Sequence, residues 1–187
     1  MTVYEEIHGM ISNRTIEEFF DYVIAEQKNL LLDDNQLSKI VGENNEEDNI
    51  SNNYSGKPQS KKDTVKDSKD VERYPRDTKI SSNALMLAKY RCGNYADHIS
   101  FIRKSNSKNY TEPHHLIPVS AHKDFKYSLD VEENICSLCS TCHNCIHYGI
   151  DSEKEKMILK LYNKRKEMLK NVGLEISFSK LKSYYNI

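Results

Sequence analysis

The 187-residue chain has no run of about 18 apolar residues, so no membrane-spanning helix is expected. Its first ten residues, MTVYEEIHGM, lack a basic stretch followed by an apolar one. No secretory leader is therefore expected, and the cytoplasm is the expected location. Apolar residues are scarce, at 37% against 29% charged, so part of the chain should bury little. Net charge is nearly absent too, at −1, but it is unevenly spread. Residues 1–56 hold 12 acidic and 3 basic side chains, whereas 57–187 hold 16 and 24. A basic half suggests a polyanionic partner, although lysine-rich helices that are merely solvated would give the same count.

The chain reads as three pieces. Residues 1–42 form a small helical segment, with a short helix in 3–11 and a second opening at Thr15, whose capping box closes on Glu18. Two such helices make a marginal core alone, so docking or dimerisation is their expected role. Residues 43–73 are Asn, Ser, Lys, Asp and Glu with almost nothing to bury, which predicts a flexible polar linker. Residues 74–187 form the second domain. There the run SSNALMLAKY predicts a short helix capped by Ser81 or Ser82. Strands are expected at 111–119 and 134–138, and a helix is expected to open near His143. A long helix should begin at Ser152, capped by it with Glu155 completing the box, and stop at Gly173. A last helix over 177–185 should bury Phe178, Leu181 and Tyr184 or Tyr185.

Five cysteines in a chain without a leader predict reduced thiols, and their clustering reads as metal binding before disulfide. Cys139-x-x-Cys142 has the spacing of a zinc knuckle, which supplies two of four tetrahedral ligands. Cys92 and His98, in CGNYADH, are the best remaining pair. Cys136 and Cys145 are rivals, the first reading as a small core residue and the second as packing one turn beyond Cys142. His143-x-x-x-His147 is a different signal, since residues four apart on a helix share a face and can reach one ion. One of His114 and His115 could complete that open site, leaving the other to accept a proton. Neighbours on a regular strand point to opposite faces, so both can serve one phosphate only if the strand twists or ends there.

These residues resemble the HNH endonucleases with a ββα-metal active site, through EPHHLIP, DVEENICSLC and CHNCIHYG. The resemblance covers about Leu85 to Gly149 and is nearest to the McrA-like bacterial restriction branch, whose core carries a structural zinc. The helix pair that follows also looks like the tail of bacterial restriction-type HNH nucleases. It implies an α+β fold, a ββα-metal HNH core with a zinc knuckle and C-terminal helices. It implies that His114 is a metal ligand, His115 the general base, Asn134 the residue that pins the loop between the strands, and His143 the final motif histidine. His147 resembles the additional metal ligand of colicin-type nucleases. Many members carry a second CxxC where this chain has Cys92 alone, and His98 is the residue that would replace the missing cysteine.

The function so implied is metal-dependent hydrolysis of DNA phosphodiesters, in restriction or phage defence. Zinc would be structural, and Mg²⁺, Mn²⁺ or another divalent ion catalytic. Arg103, Lys104, Lys164, Arg165 and Lys166 are the expected phosphate contacts. A homodimer and a partner protein that supplies targeting are both compatible with the small N-terminal piece. The alternatives are a toxin-type nuclease acting on DNA or RNA and a non-catalytic zinc module that binds nucleic acid.

Overall fold

A computed structural model describes residues 53–66 and 72–187. The helices expected within 1–42, and the linker residues 43–52 and 67–71, lie outside the described residues. The fold is α+β. In chain order it has a short pair β1 (Val65–Lys66) and β2 (Glu72–Arg73), helix α1 (Thr78–Leu87), strands β3 (Glu112–His115) and β4 (Ile135–Leu138), and helices α2 (Ser140–Tyr148), α3 (Asp151–Asn171) and α4 (Phe178–Ser183). Each strand pair forms its own antiparallel two-stranded sheet. No described helix is long and apolar enough to cross a membrane.

The β3–β4 hairpin is the centre. Its register runs from Glu112 opposite Leu138 to His115 opposite Ile135. β4 is buried along its whole length, because α1, α2 and the turn before it pack around it. Two strands of four residues cannot hold themselves together in water. The core that supports them comes from Leu116, Ile117, Leu129 and Val131 in and around the loop, and from Ile146, Ile158, Leu161, Leu169 and Leu181 on the helices. Burying one such side chain contributes about 1.5–3 kcal/mol.

Helix ends differ from the sequence reading in instructive ways. Asp77, not Ser81 or Ser82, caps α1, its carboxylate accepting from Lys79 N at 3.0 Å. The two serines lie inside the helix and are buried, where small side chains let it approach the sheet. α3 starts at Asp151, with Ile150 as its cap residue and no side-chain capping bond. Ser152 is already helical, and Glu155 instead meets Lys182 of α4 at 2.6 Å. The other end is as expected. Gly173 takes φ +75°, Leu174 N bonds Leu169 O at 2.8 Å and Gly173 N bonds Lys170 O at 3.0 Å, a Schellman ending. A Cβ on Gly173 would also stand 2.5 Å from the Tyr127 ring.

Part of the stretch expected to be a flexible linker lies against the domain. Gly56 N and Ser55 Oγ donate to Glu133 Oε1 at 2.8 and 3.2 Å, and Ser128 N donates to Gln59 O at 2.9 Å. Glu133 is 1% exposed, so its carboxylate needs those donors. A polar composition says only that residues bury little of their own surface. It does not exclude their serving as partners for someone else's buried charge. A fragment of residues 60–187 should therefore be less stable than 53–187, by about 1–3 kcal/mol or more for a charged acceptor left unsatisfied. Urea unfolding checks this, and equal midpoints would show that the strap holds nothing.

Candidate metal centres on either side of one helix

Helix α2 carries two groups of metal-ligating side chains. At its N-terminal end Cys139, the cap residue, and Cys142 meet Cys92 and His98. Their ligand atoms all lie within 4.8 Å of one another. His98 Nδ1 is 3.3 Å from Cys142 Sγ and 3.8 Å from Cys139 Sγ. Sulfur and nitrogen on one tetrahedral zinc should stand about 3.6 Å apart, given bonds of about 2.3 and 2.1 Å. The two distances bracket that value, and a Cys₃His set is a usual zinc donor set. The loop bearing Cys92 reaches β4 because Gly93 follows it. Gly93 N donates to Ser137 O at 2.7 Å, and a Cβ there would crowd that oxygen at 3.2 Å.

Two thiols of this group are shifted in opposite directions. Burial, opposed by the Asn94 amide and reinforced by the neighbouring thiols, pushes the Cys142 thiol up to about 12. Burial also acts to raise Cys92, but the backbone N–H groups of Cys139, Tyr95 and Asn94 outweigh it and leave that thiol lowered. Asn94 Nδ2 donates to Cys142 Sγ at 3.4 Å, a bond that supports a thiolate once a metal is bound. Cys136 and Cys145 stand outside the group. Cys136 is buried in β4 as part of the core, and Cys145 is half-buried beside Glu153.

The second group is His114, His143 and His147. The two helical imidazoles face each other, Nε2 to Nε2, at 3.2 Å. Two nitrogens on one ion, each about 2.0–2.1 Å from it, would be separated by about 3.0–3.4 Å. His114 comes in from β3, its ring centroid 5.2 Å from that of His143 and 5.3 Å from that of His147. Burial holds the His114 imidazole well below the ordinary histidine range, and His143, His147 and His115 add to the effect. Burial lowers His147 as well, with His143 adding to it and Glu112 opposing. Such neutral rings keep their lone pairs available.

Two further side chains orient these rings. Glu112, two residues before His114 and so on the same strand face, accepts from His143 Nδ1 and, at 2.9 Å, from Ser140 Oγ. The His143 bond leads the lowering of the Glu112 carboxyl, with burial opposing. It leaves His143 Nε2 for a ligand. Tyr185, beyond α4, lies 3.0 Å from His114 Nε2 and donates its hydroxyl to Leu116 O at 2.7 Å. Burial pushes that hydroxyl far above its usual range. With its proton committed to Leu116, the Tyr185 oxygen accepts from His114 Nε2–H and leaves Nδ1. Neither residue was among the sequence candidates. The alternation of a strand points to Glu112, but nothing in the sequence points to Tyr185 across 71 positions.

His115 is not in the three-histidine group. Strand β3 keeps its register through His115, so the adjacent imidazoles diverge. His115 Nε2 meets Asp130 Oδ1 at 2.9 Å on the other side. Asn134 is fully buried, with Oδ1 accepting from Ile117 N and Nδ2 donating to the carbonyls of Ile117 and Leu129. The expected phosphate contacts separate. Arg103 is 7% exposed, donates to Thr111 O at 3.0 Å and lies over the Tyr110 ring. Arg165 Nη1 donates to Glu132 O at 3.1 Å and Glu133 O at 2.8 Å. Both guanidiniums hold main chain together. Lys164, though exposed, meets Gly93 O. Lys104 and Lys166 are exposed.

No protein-family model matches the chain, and no curated protein does. Among solved structures it is similar to the Type IV phosphorothioation-dependent restriction endonuclease ScoMcrA, with 22% identity and a TM-score of 0.41. The match covers 53% of this chain but 18% of that one.

Elemental analysis should find tightly held zinc that is lost in Cys142→Ser and in His98→Ala and kept in Cys145→Ser. Zinc retained by both of the first two variants would move the site elsewhere.

Proposed function

We propose that the chain is a metal-dependent HNH endonuclease that hydrolyses DNA phosphodiesters, in restriction or defence. The observation that carries the reading is the convergence of His114, His143 and His147 beside a fourth imidazole, His115, at the end of the same strand. A structural zinc site alone would need no second, sulfur-free group. A nucleic-acid-binding module would need no imidazole set apart from the ligands. The resemblance of EPHHLIP, DVEENICSLC and CHNCIHYG to the HNH motifs supports the same assignment.

In this reading His114, His143 and His147 hold a divalent ion, Mg²⁺, Mn²⁺ or another. When bound, the ion supplies charge stabilisation at the scissile phosphate and the leaving 3′ oxygen. The chain's own residues do the rest. His115 takes a proton from the attacking water. Displacement at phosphorus is in line, with the nucleophile and the leaving oxygen on opposite sides. An imidazole that diverges from the ligand group suits that geometry, since base and ion then flank the phosphate. Glu112 and Tyr185 keep the ligand rings turned, and Asn134 fixes the end of β3. Cys92, His98, Cys139 and Cys142 hold a zinc that takes no part in the chemistry and anchors α2 to the hairpin. The proposed phosphate contacts are Lys104, Lys164 and Lys166, all exposed, with Arg103 and Arg165. Residues 1–42 are proposed to dock or dimerise, with the nuclease unit at 74–187 and the strap 53–66 laid against it.

Purified full-length protein should nick supercoiled plasmid when a divalent ion is added. His115→Ala should lose about 10²–10⁴ in rate while keeping its zinc and its affinity for DNA. An inactive wild type under all divalent ions, or an unimpaired His115→Ala, would overturn the proposal.

A further inference from the structure

Asp130 is the buried group the catalytic reading leaves unused. Its side chain is 2% exposed, and a carboxylate that far from water is costly unless it is held on every side. Asp130 Oδ2 accepts from Asp77 N, the cap residue of α1, at 2.6 Å. Asp130 Oδ1 faces His115 Nε2 at 2.9 Å. Its own backbone N donates to Ser128 Oγ at 3.1 Å. The carboxylate is thus clamped between a helix N-terminus, which favours negative charge, and one imidazole.

We propose that Asp130 is a positioning residue for His115, holding the ring by Nε2 and leaving Nδ1 as the nitrogen that takes the proton from water. This rests on the nuclease reading. The argument is one of hydrogen bonding. A carboxylate so placed accepts and does not donate, so the ring nitrogen facing it must carry the hydrogen. The lone pair then belongs to Nδ1. The same pairing of buried carboxylate and imidazole fixes the tautomer and orientation of a base in hydrolases of unrelated fold. Here it also restrains the ring about its Cβ–Cγ bond. Without it His115, last in its strand, could turn its donor rather than its lone pair toward the substrate.

A purely structural pair would tie β3 to the loop before β4 and do nothing else. One measurement tests the tautomer, and a second separates positioning from a purely structural pair. The first uses wild-type protein labelled with ¹⁵N at histidine, His115 being assigned by the signals lost in His115→Gln. The spectrum should show hydrogen on Nε2 and not on Nδ1. The second uses Asp130→Asn, which can present an amide N–H to the ring. It should keep its zinc and plasmid affinity, lose the Nε2–H signature, and nick about 10²-fold or more slowly in kcat with KM unchanged. Wild-type His115 with its hydrogen on Nδ1 would overturn the proposal. So would an Asp130→Asn variant that nicks at the wild-type rate. If that variant does not fold, Asp130→Ser, which keeps a small polar side chain, is measured in its place, and a wild-type kcat there would overturn the proposal. An inactive wild type removes the nuclease reading before any variant is made, whereas an active wild type with an unimpaired Asp130→Asn removes only this inference.

Discussion

The amide of Asn134 is the small interaction on which the rest of the arrangement depends. It is wholly buried and uses both donor hydrogens and its carbonyl oxygen, on the backbone of Ile117 and Leu129. Those three bonds close the loop that joins β3 to β4. They fix where β3 ends, and so which way His115 leaves the strand. They also set the turn that carries Asp130 and Glu133. Buried polar networks of this kind specify one arrangement because partial satisfaction is costly. A leucine of similar size could fill the space but would leave three backbone groups without partners.

From that loop the structure divides its chemistry by strand alternation. One face of β3 presents Glu112 and His114 to α2. The other presents His115 to Asp130 and the N-terminus of α1. Helix α2 adds a second division. Cys142 and His143 are neighbours that point apart, so sulfur ligands gather at one side and imidazoles at the other. The thiol group suits a closed, tetrahedral ion, and the imidazole group leaves coordination positions open. A four-ligand zinc there would anchor the first turn of α2 to the Cys92 loop.

The two candidate ligand groups were legible in the sequence because their spacing is local. Cys139-x-x-Cys142 and His143-x-x-x-His147 each report a single turn of chain, and Cys92 with His98 report one loop. β4, the long helix and its glycine stop were legible for the same reason, whereas β3 stops at His115, short of the expected 119, and β1 and β2 fall where a linker was expected. What the sequence did not give away is set by contacts between distant segments. Asp130 reaches back to His115 and Asp77, Tyr185 reaches His114 from the far end of the chain, and Ser55 and Gly56 serve Glu133. Arg103 and Arg165 show the converse. Their charge was legible, but not the main-chain carbonyl that each holds in the fold. The cap of α1 was misplaced because Asp77 stands about one turn before Ser81 and Ser82 and takes the Lys79 N–H first.

The central claim is that the sulfur-free centre carries the chemistry while the thiolate centre only supports it. Protein already holding one equivalent of zinc can be titrated with Co²⁺ while absorption and plasmid nicking are followed together. The account predicts that the added Co²⁺ saturates at one further equivalent. It predicts visible d–d bands without sulfur-to-metal charge transfer, with nicking rising in step. Nicking that needs no added ion, or that follows a cobalt signal bearing thiolate charge transfer, would contradict it.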